Sequence, residues 1–221
     1  MAVLGVAWAE EWGCTGMSAK LQQEDFIEAA FGLAQDSGVH GFTMRSLGEK
    51  MGLDPTTVYR YFKSKDALVV AMVGRTLASR ITPEMLETPP RQRIMLIACA
   101  ARAALLENPE MAAALANATG SAETLAASEV VVDALEQMGL TGRSLVVWYQ
   151  LIEGIVIGGV LLDSGGAPQN WESRGDRYRT LGVRPFTEVA KAGPDEVEAV
   201  GDEAVMLGLS TVLDAIEASV G

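Results

Sequence analysis

The sequence predicts an all-α protein, and three observations support that class. Residues that favour helices are plentiful, and 49% of the 221 residues are hydrophobic. Short alternating runs of β-branched or aromatic residues, which are typical of strands, are scarce. Apolar residues instead recur at helical spacing between capping residues, glycines and prolines. A chain of this length can also bury a substantial core.

The first two predicted helices have well-marked ends. Apolar residues at helical spacing predict a first helix over about 22–35, which Gly38 stops. Thr43 is a suitable N-cap for a short helix over 44–51, and Gly52 supplies a left-handed stop. A tight loop therefore separates the two helices.

Two further helices follow in the same way. Asp54 caps a third helix that begins at Pro55, where the missing N–H costs nothing, and runs to about residue 62. Ser64 caps a longer fourth helix over 65–80, which Pro83 ends. We expect this fourth helix to lead out of a small N-terminal head.

Proline and glycine divide the rest of the chain into antiparallel helices. The predicted helices cover about 90–107, a short segment from 109, 122–138, 141–163 and 194–221, with a polar loop over 164–184. Domain boundaries are expected at 1–19 for an N-terminal arm, 20–66 for the head and 67–221 for a larger helical body.

The charge is distributed unevenly. The net charge is −12, yet residues 81–221 carry nine basic and twenty acidic side chains, whereas residues 17–80 carry eight and seven. Within 43–65 there are five basic and two acidic side chains. An acidic protein disfavours nonspecific binding to nucleic acid, so the one basic segment is the place where phosphates would be met.

Residues 42–62 have the size of a helix-turn-helix, whose second helix enters the major groove of DNA. Val58 and Phe62 lie four residues apart and are predicted to face the core. The opposite side then carries Thr56, Thr57, Arg60 and Tyr61. Arginine can bond guanine or phosphate, and hydroxyls can reach base edges and phosphates. Three short structural helices would explain the same pattern.

The local sequence decides between these interpretations. The stretches FTMR from Phe42, LGEKMGL from Leu47 and TVYRYFKSKDAL from Thr57 resemble the signature of TetR-family DNA-binding domains. The resemblance spans about 22–77, and YRYFKSK is its most specific part. It departs from many members at Met44 and Arg45, and Asp54 adds a negative charge, so base specificity does not transfer.

This resemblance implies a homodimeric transcriptional regulator that reads palindromic operator DNA, usually a repressor released by a small-molecule effector. An activator of the same family is the variant left open. The residues that match the family's DNA-contacting positions are Thr43, Arg45, Thr56, Thr57, Tyr59, Arg60, Tyr61 and Lys65. The alternative is a helical ligand-binding or interaction protein whose DNA-binding head is non-functional.

The helix predicted at 143–163 is apolar round its whole circumference, so it needs cover on more than one side. Gly154, Gly158 and Gly159 would allow another helix to approach closely. The last helix offers a matching stripe: Val205, Leu209, Val212 and Ile216. We expect the helices 143–163 and 195–220 to form the dimer interface, as the resemblance also implies. A monomeric pair of core helices is the alternative.

A small-molecule effector is expected between the fourth to eighth helices. Candidate ligand-binding residues, chosen by helical face and family topology, are Met72, Leu105, Met111, Leu115, Met138, Trp148 and Ile152. Such residues also fill ordinary cores. With few charges at inward positions, an apolar or aromatic effector fits better than a sugar or nucleotide.

The sequence lacks the residues that other functional classes require. The lone His40 has no neighbouring Cys, Asp or Glu at ligand spacing, and no phosphate-binding glycine loop appears, so we expect no enzyme, no metal and no cofactor. Gln150 and Glu153 interrupt the apolar run 145–162, which argues against a membrane span. Residues 1–16 lack a basic signal-peptide region, so a cytoplasmic protein is expected.

Overall fold

The computed structural model describes residues 21–117, 122–164, 179–180 and 182–220, and the elements formed by these residues are α-helices. In chain order they are α1 (Gln23–Gly41), α2 (Met44–Met51), α3 (Pro55–Tyr61), α4 (Lys65–Ser79), α5 (Pro83–Leu86), α6 (Pro90–Glu107), α7 (Pro109–Asn117), α8 (Ala122–Gln137), α9 (Gly142–Ser164), α10 (Arg184–Ala192) and α11 (Pro194–Val220). The all-α class is confirmed. The predicted N-terminal arm over 1–19 lies outside the described residues.

Most predicted helix ends agree with the structure to within one or two residues, because local capping sets them. Thr43 accepts a hydrogen bond from the backbone N–H of Ser46, and Gly52 ends α2 in the left-handed conformation with φ 67°. Gly38, with φ 71°, breaks α1 as predicted, but helical structure resumes to Gly41. The sequence patterns did not predict α5, which is only four residues long, or α10.

Helices α1 to α4 form the head around one core. Phe26, Leu47, Val58 and Leu68 are completely buried there. α2 and α3 approach closely at Gly48, where an added Cβ would lie 3.0 Å from the backbone oxygen of Leu53. This close approach fixes the angle between the two helices of the predicted helix-turn-helix.

The body is built on α6, α8, α9 and α11, which share a second core. Its fully buried side chains include Ile94, Leu135, Leu209 and Ile216. α4 leaves the head and packs along α8 and α7 of the body. The head's core also takes in Leu105 of α6 and Val160 of α9, so the head rests directly on one end of the body.

α9 and α11 pack together within one chain. An added Cβ at Gly159 would lie 2.4 Å from Val205 Cγ2, so this glycine serves contact inside the subunit, whereas Gly154 and Gly158 face open space. The α11 stripe expected to face a partner is buried in its own subunit: Val205, Leu209, Val212 and Ile216. The prediction that this stripe faces a partner subunit is therefore wrong. α9 of the same subunit is apolar on every side and covers the stripe.

α9 keeps an apolar face that the single chain leaves uncovered. By length and composition, the segment Gly142–Asp163 is apolar enough to cross a membrane, with a mean hydropathy of 2.0, and only 22% of it is buried. Val146, Val147, Leu151 and Leu162 are exposed on α9, and Leu207 is exposed on the neighbouring α11. A face of this kind marks an interface.

A buried ion pair ties three body helices together. Arg102 of α6 donates from Nη2 to Asp163 of α9 at 2.6 Å and from Nε to Asp202 of α11 at 3.0 Å. The Arg102 and Asp163 side chains are only 8% and 4% exposed. An added Cβ at Gly201 would lie 2.7 Å from the Asp163 carboxylate, which explains a glycine at this crossing.

We predict that Asp163→Asn lowers the free energy of unfolding by about 3 kcal/mol, because it leaves the buried Arg102 charge undercompensated. The matched variant Asp202→Asn removes a carboxylate that is 57% exposed, so its effect should stay below about 1 kcal/mol. Urea unfolding at one protein concentration measures both. Equal losses would show that the buried pair is no more important than the exposed one.

Candidate nucleic-acid interface and ligand cavity

The N-terminus of α3 is held by Asp54. Its Oδ1 accepts hydrogen bonds from the Thr56 backbone N–H at 2.8 Å and from the Thr56 hydroxyl at 2.6 Å. These bonds from the Thr56 side chain and backbone lower the pKa of the Asp54 carboxyl below its ordinary value. The negative charge that departs from the family pattern thus caps α3.

The outer side of α3 carries side chains that point into solvent. Thr56, Tyr59 and Arg60 are exposed, Tyr59 by 52%. Among the residues that the structure describes, neither Tyr59 nor Arg60 has a side-chain hydrogen bond or ion pair. Val58 and Phe62 are buried on the inner side, as predicted, and Thr57 is half-buried between the two sides. A guanidinium and a phenol are therefore free to bind a ligand outside the chain.

α2 adds a second set of candidates beside α3. The Thr43 hydroxyl caps α2 and bonds Ser46. Arg45 forms an exposed pair with Glu49 at 3.0 Å. Exposed pairs of this kind contribute little, so the guanidinium can exchange Glu49 for a phosphate at small cost.

Tyr61 and Lys65 are engaged within the head. The Tyr61 hydroxyl donates to the backbone oxygen of Leu21 at 3.0 Å, and its ring lies 4.5 Å from that of Phe26. The prediction that Tyr61 faces away from the core is therefore wrong, because α1 supplies an aromatic partner. Lys65 Nζ donates to the Phe42 oxygen at 2.6 Å and lies over the Phe42 ring. Its predicted phosphate contact stays a prediction.

The body contains a cavity of about 320 Å³ beside α4 that is partly open to solvent. Its wall is made mainly of aliphatic side chains from α4, α6, α8 and α9, with Leu115 from α7 and Ile81 from the segment after α4. The larger apolar lining residues are Leu77, Ile81, Ile94, Ile97, Leu105, Leu115, Val131, Ile152, Val156 and Ile157. This volume and lining are typical of a small-molecule site.

Three of the seven predicted ligand-binding residues line this cavity: Leu105, Leu115 and Ile152. The other four are not on its wall. Met72 and Met111 are buried in the head's core, and Met138 and Trp148 pack against the body core. Helical face alone could not separate these positions, because α6 and α9 each contribute to both cores.

A small polar cluster interrupts the apolar wall. The Tyr149 hydroxyl donates to Ser128 Oγ at 2.7 Å and lies 3.4 Å from Glu153 Oε1, while Gln150 donates to Glu153 Oε2 at 3.1 Å. Burial raises the pKa of the Tyr149 phenol, the Ser128 hydrogen bond partly opposes this, and the Glu153 charge raises it further. The phenol therefore stays protonated.

The sequence contains a pattern that indicates this polar cluster, but the sequence-based predictions do not use it. Tyr149, Gln150 and Glu153 are polar residues three and four apart in an otherwise apolar helix, and this spacing places them side by side. Gln150 and Glu153 serve in the sequence-based predictions only as evidence against a membrane span, and Tyr149 is not used. Ser128, on a different helix, could not have been found from spacing within α9.

Comparison with known proteins identifies the family. Residues 26–72, which run from the first turn of α1 to the middle of α4, match the family model of bacterial regulatory proteins of the tetR family. The tetracycline repressor protein class A from transposon 1721 of Escherichia coli is 28% identical over 200 residues, or 89% of this chain and 91% of that protein. The match to the family model places the head of the chain in the TetR family. The residues that carried the resemblance lie inside the matched region.

Solved TetR-family structures share the fold of most of the chain. ActR from Streptomyces coelicolor, in complex with actinorhodin, superposes with a TM-score of 0.67 at 17% identity, covering 92% of this chain and all of that one. A TetR variant from Acinetobacter baumannii AYE, in complex with minocycline, gives 0.63 at 22% identity, covering 91% and 99%. At these identities the likeness extends to the fold alone. Within the described residues, no three His, Cys, Asp or Glu side chains form a metal-binding group.

Tyr149→Phe should change how stability depends on pH. The folded pKa of Tyr149 lies above its ordinary value of 10.0, so its contribution to stability is present below that pH and is lost as the pH rises through the folded pKa. We expect the parent protein to lose more free energy of unfolding than Tyr149→Phe between pH about 9 and about 11. Urea unfolding across this range measures the difference. Identical pH profiles would contradict the prediction.

Proposed function

We propose that this TetR-family chain is a dimeric, sequence-specific DNA-binding repressor, released from a palindromic operator by a small effector in the cavity. In this proposal residues 20–66 bind DNA, and residues 67–221 bind the effector and a second subunit. The regulator works on DNA, so we place it in the cytoplasm, and it is not an enzyme.

The free outer side of α3 is the observation that carries the proposal. Arg60 and Tyr59 have no side-chain partner among the described residues, yet the helix bearing them is firmly capped by Asp54. An exposed, unpaired guanidinium on a short rigid helix fits the bidentate recognition of guanine or phosphate. Arg45 and the hydroxyls of Thr43, Thr56 and Thr57 lie on the same two helices. We keep them, with Lys65, as proposed DNA contacts.

The uncovered apolar face of the body supports a dimer. On α9, residues spaced three and four apart form one stripe, and a parallel stripe of apolar and small residues runs along α11. We call these stripes the outer α9–α11 surface: Val147, Leu151, Gly154, Gly158 and Leu162 with Ala204, Leu207 and Thr211. None of them is charged, and the two glycines leave room for a close approach. A second copy would cover this surface on the helices 143–163 and 195–220.

α4 provides a physical connection between cavity and head. Leu68, near its start, is fully buried in the head's core, and Leu77, near its end, lines the cavity. These residues are about 14 Å apart along one continuous helix. A ligand that displaces Leu77 would therefore move the head and change the spacing of the two α3 helices in the dimer. Operator binding requires a fixed spacing, because the two helices must reach two half-sites at the same time.

The alternative is a ligand-binding helical protein whose head no longer reads DNA. The net charge of −12 permits this interpretation. The two functions differ in what Arg60 does, because only the repressor uses its free guanidinium.

We predict that Arg60→Ala weakens binding to the specific operator by about 1–3 kcal/mol per half-site. The operator can be selected from the DNA that flanks the protein's own gene, and fluorescence anisotropy at several salt concentrations gives the affinity and its salt dependence. Arg143→Ala is the matched control. Arg143 is also exposed, but it begins α9 at the end opposite Val160, which packs against the head. Unchanged affinity in Arg60→Ala would favour the alternative function.

We predict that Leu207→Glu converts the dimer into a monomer. The side chain is 67% exposed in the single chain, so the fold tolerates the change, but a dimer would bury an unpaired carboxylate there. Light scattering after size-exclusion chromatography measures the mass. Leu86→Glu, at a site 44% exposed on α5, is the control and should remain dimeric. A dimeric Leu207→Glu would place the interface elsewhere.

A further inference from the structure

Among the described residues that line the cavity, one side chain is charged. Glu153 is half-buried, and the other lining residues are apolar apart from Ser128, Tyr149 and Gln150. Within the described part of the chain, no lysine, arginine or histidine lines it. A carboxylate in an apolar wall is costly unless a donor or a positive charge meets it.

The protein's own groups meet that need only in part. Gln150 donates one neutral hydrogen bond to Oε2, and the Tyr149 hydroxyl lies 3.4 Å from Oε1. The Tyr149 proton has a nearer acceptor, because Ser128 Oγ is only 2.7 Å away. Within the part of the chain that the structure describes, Glu153 forms no ion pair. The carboxylate thus has free accepting capacity inside the cavity.

We propose that the effector of this cavity is a hydrophobic amine, bound as its cation. The protonated nitrogen bonds Glu153, and the hydrocarbon body packs on the aliphatic wall that includes Ile97, Leu105 and Val156. This inference rests on the proposed function, which makes the cavity the effector site, and it adds the ligand's chemical class to the apolar character already expected.

Two physical effects favour a cation over a neutral or anionic molecule of the same shape. A hydrogen bond between ions is about twice as strong as one between neutral groups, and an apolar wall strengthens it further. The acidic body, with nine basic and twenty acidic residues over 81–221, also attracts cations to the cavity and repels anions. A carboxylic acid would bring a second negative charge to Glu153.

The test uses three probes that share one ring system: naphthylmethylamine, naphthylmethanol and naphthoic acid. Isothermal titration of the full-length parent protein at neutral pH compares their dissociation constants. We expect the amine to bind about tenfold more tightly than the alcohol, as for the gain of one charged hydrogen bond, and the acid to bind most weakly. Equal binding of amine and alcohol, tighter binding of the acid, or no binding of the amine would overturn the proposal.

Glu153→Gln gives the second arm of the test. It removes the charge with little change in shape, so the preference for the amine over the alcohol should vanish while the alcohol still binds. Glu136→Gln, an exposed site on α8 outside the cavity, is the control and should keep the preference. A preference that survives Glu153→Gln would contradict the assignment of this carboxylate.

Operator binding is measured on the same preparations without any probe. If the parent protein binds its operator but shows no preference for the amine, the ligand class is wrong and the regulator stands. If no operator binding is found while the amine preference depends on Glu153, the proposed repressor fails and the cavity assignment stands.

Discussion

The apolar character of α9 on every side is the constraint on which the body depends. A helix of 23 residues with apolar residues on every side needs cover on more than one face. One side packs on α6 and α8 and forms the cavity wall, and another packs on α11 through Gly159. The side with Gly154 and Gly158 faces open space in the single chain, and it is the side on which we propose the second subunit. Core, cavity and the proposed subunit contact are therefore three sides of the same helix.

Polar contacts fix how these apolar faces are aligned. Apolar surfaces can slide over one another, since hydrophobic burial is non-directional. The Arg102 pair with Asp163 and Asp202 sets the relative positions of α6, α9 and α11 at one point. In the head, the caps at Thr43 and Asp54 and the close packing at Gly48 do the same for α2 and α3. The side chains proposed to contact DNA are held by these local contacts, whereas the cavity is shaped by long-range packing.

This difference explains what could be predicted from the sequence. The ends of α2 and α3 depend on residues within four positions of each other, and the sequence predicts them almost without error. Tyr61 was placed wrongly because its partners, Phe26 and Leu21, are far away in the chain. The cavity residues were predicted less accurately than the helix ends. Met72 and Met111 are apolar and flexible, as expected of cavity residues, but they belong to the head's core. Ser128 meets Tyr149 only through the packing of α8 on α9.

The same reasoning explains the prediction for α11. Its stripe Val205, Leu209, Val212 and Ile216 was recognised correctly as a packing face, but nothing in the spacing says whether the partner is another subunit or the same chain. The exposed Leu207 and Ala204, half a turn away, could only be assigned once that face was occupied. Apolar periodicity indicates that one face of a helix is buried, but the element that covers this face is known only from the fold.

The central claim is that two copies joined through α9 and α11 hold their α3 helices at the spacing of two operator half-sites. Pulsed electron–electron double resonance tests this claim directly, because it measures the distance between two spin labels. The label is attached at Lys63→Cys, an exposed site just after α3. Cys14 and Cys99 are replaced by serine so that only this site is labelled. The dimer on its operator should give one distribution near one turn of B-DNA, about 34–36 Å between recognition helices. The absence of a dipolar signal, or a separation far from that spacing, would contradict the account.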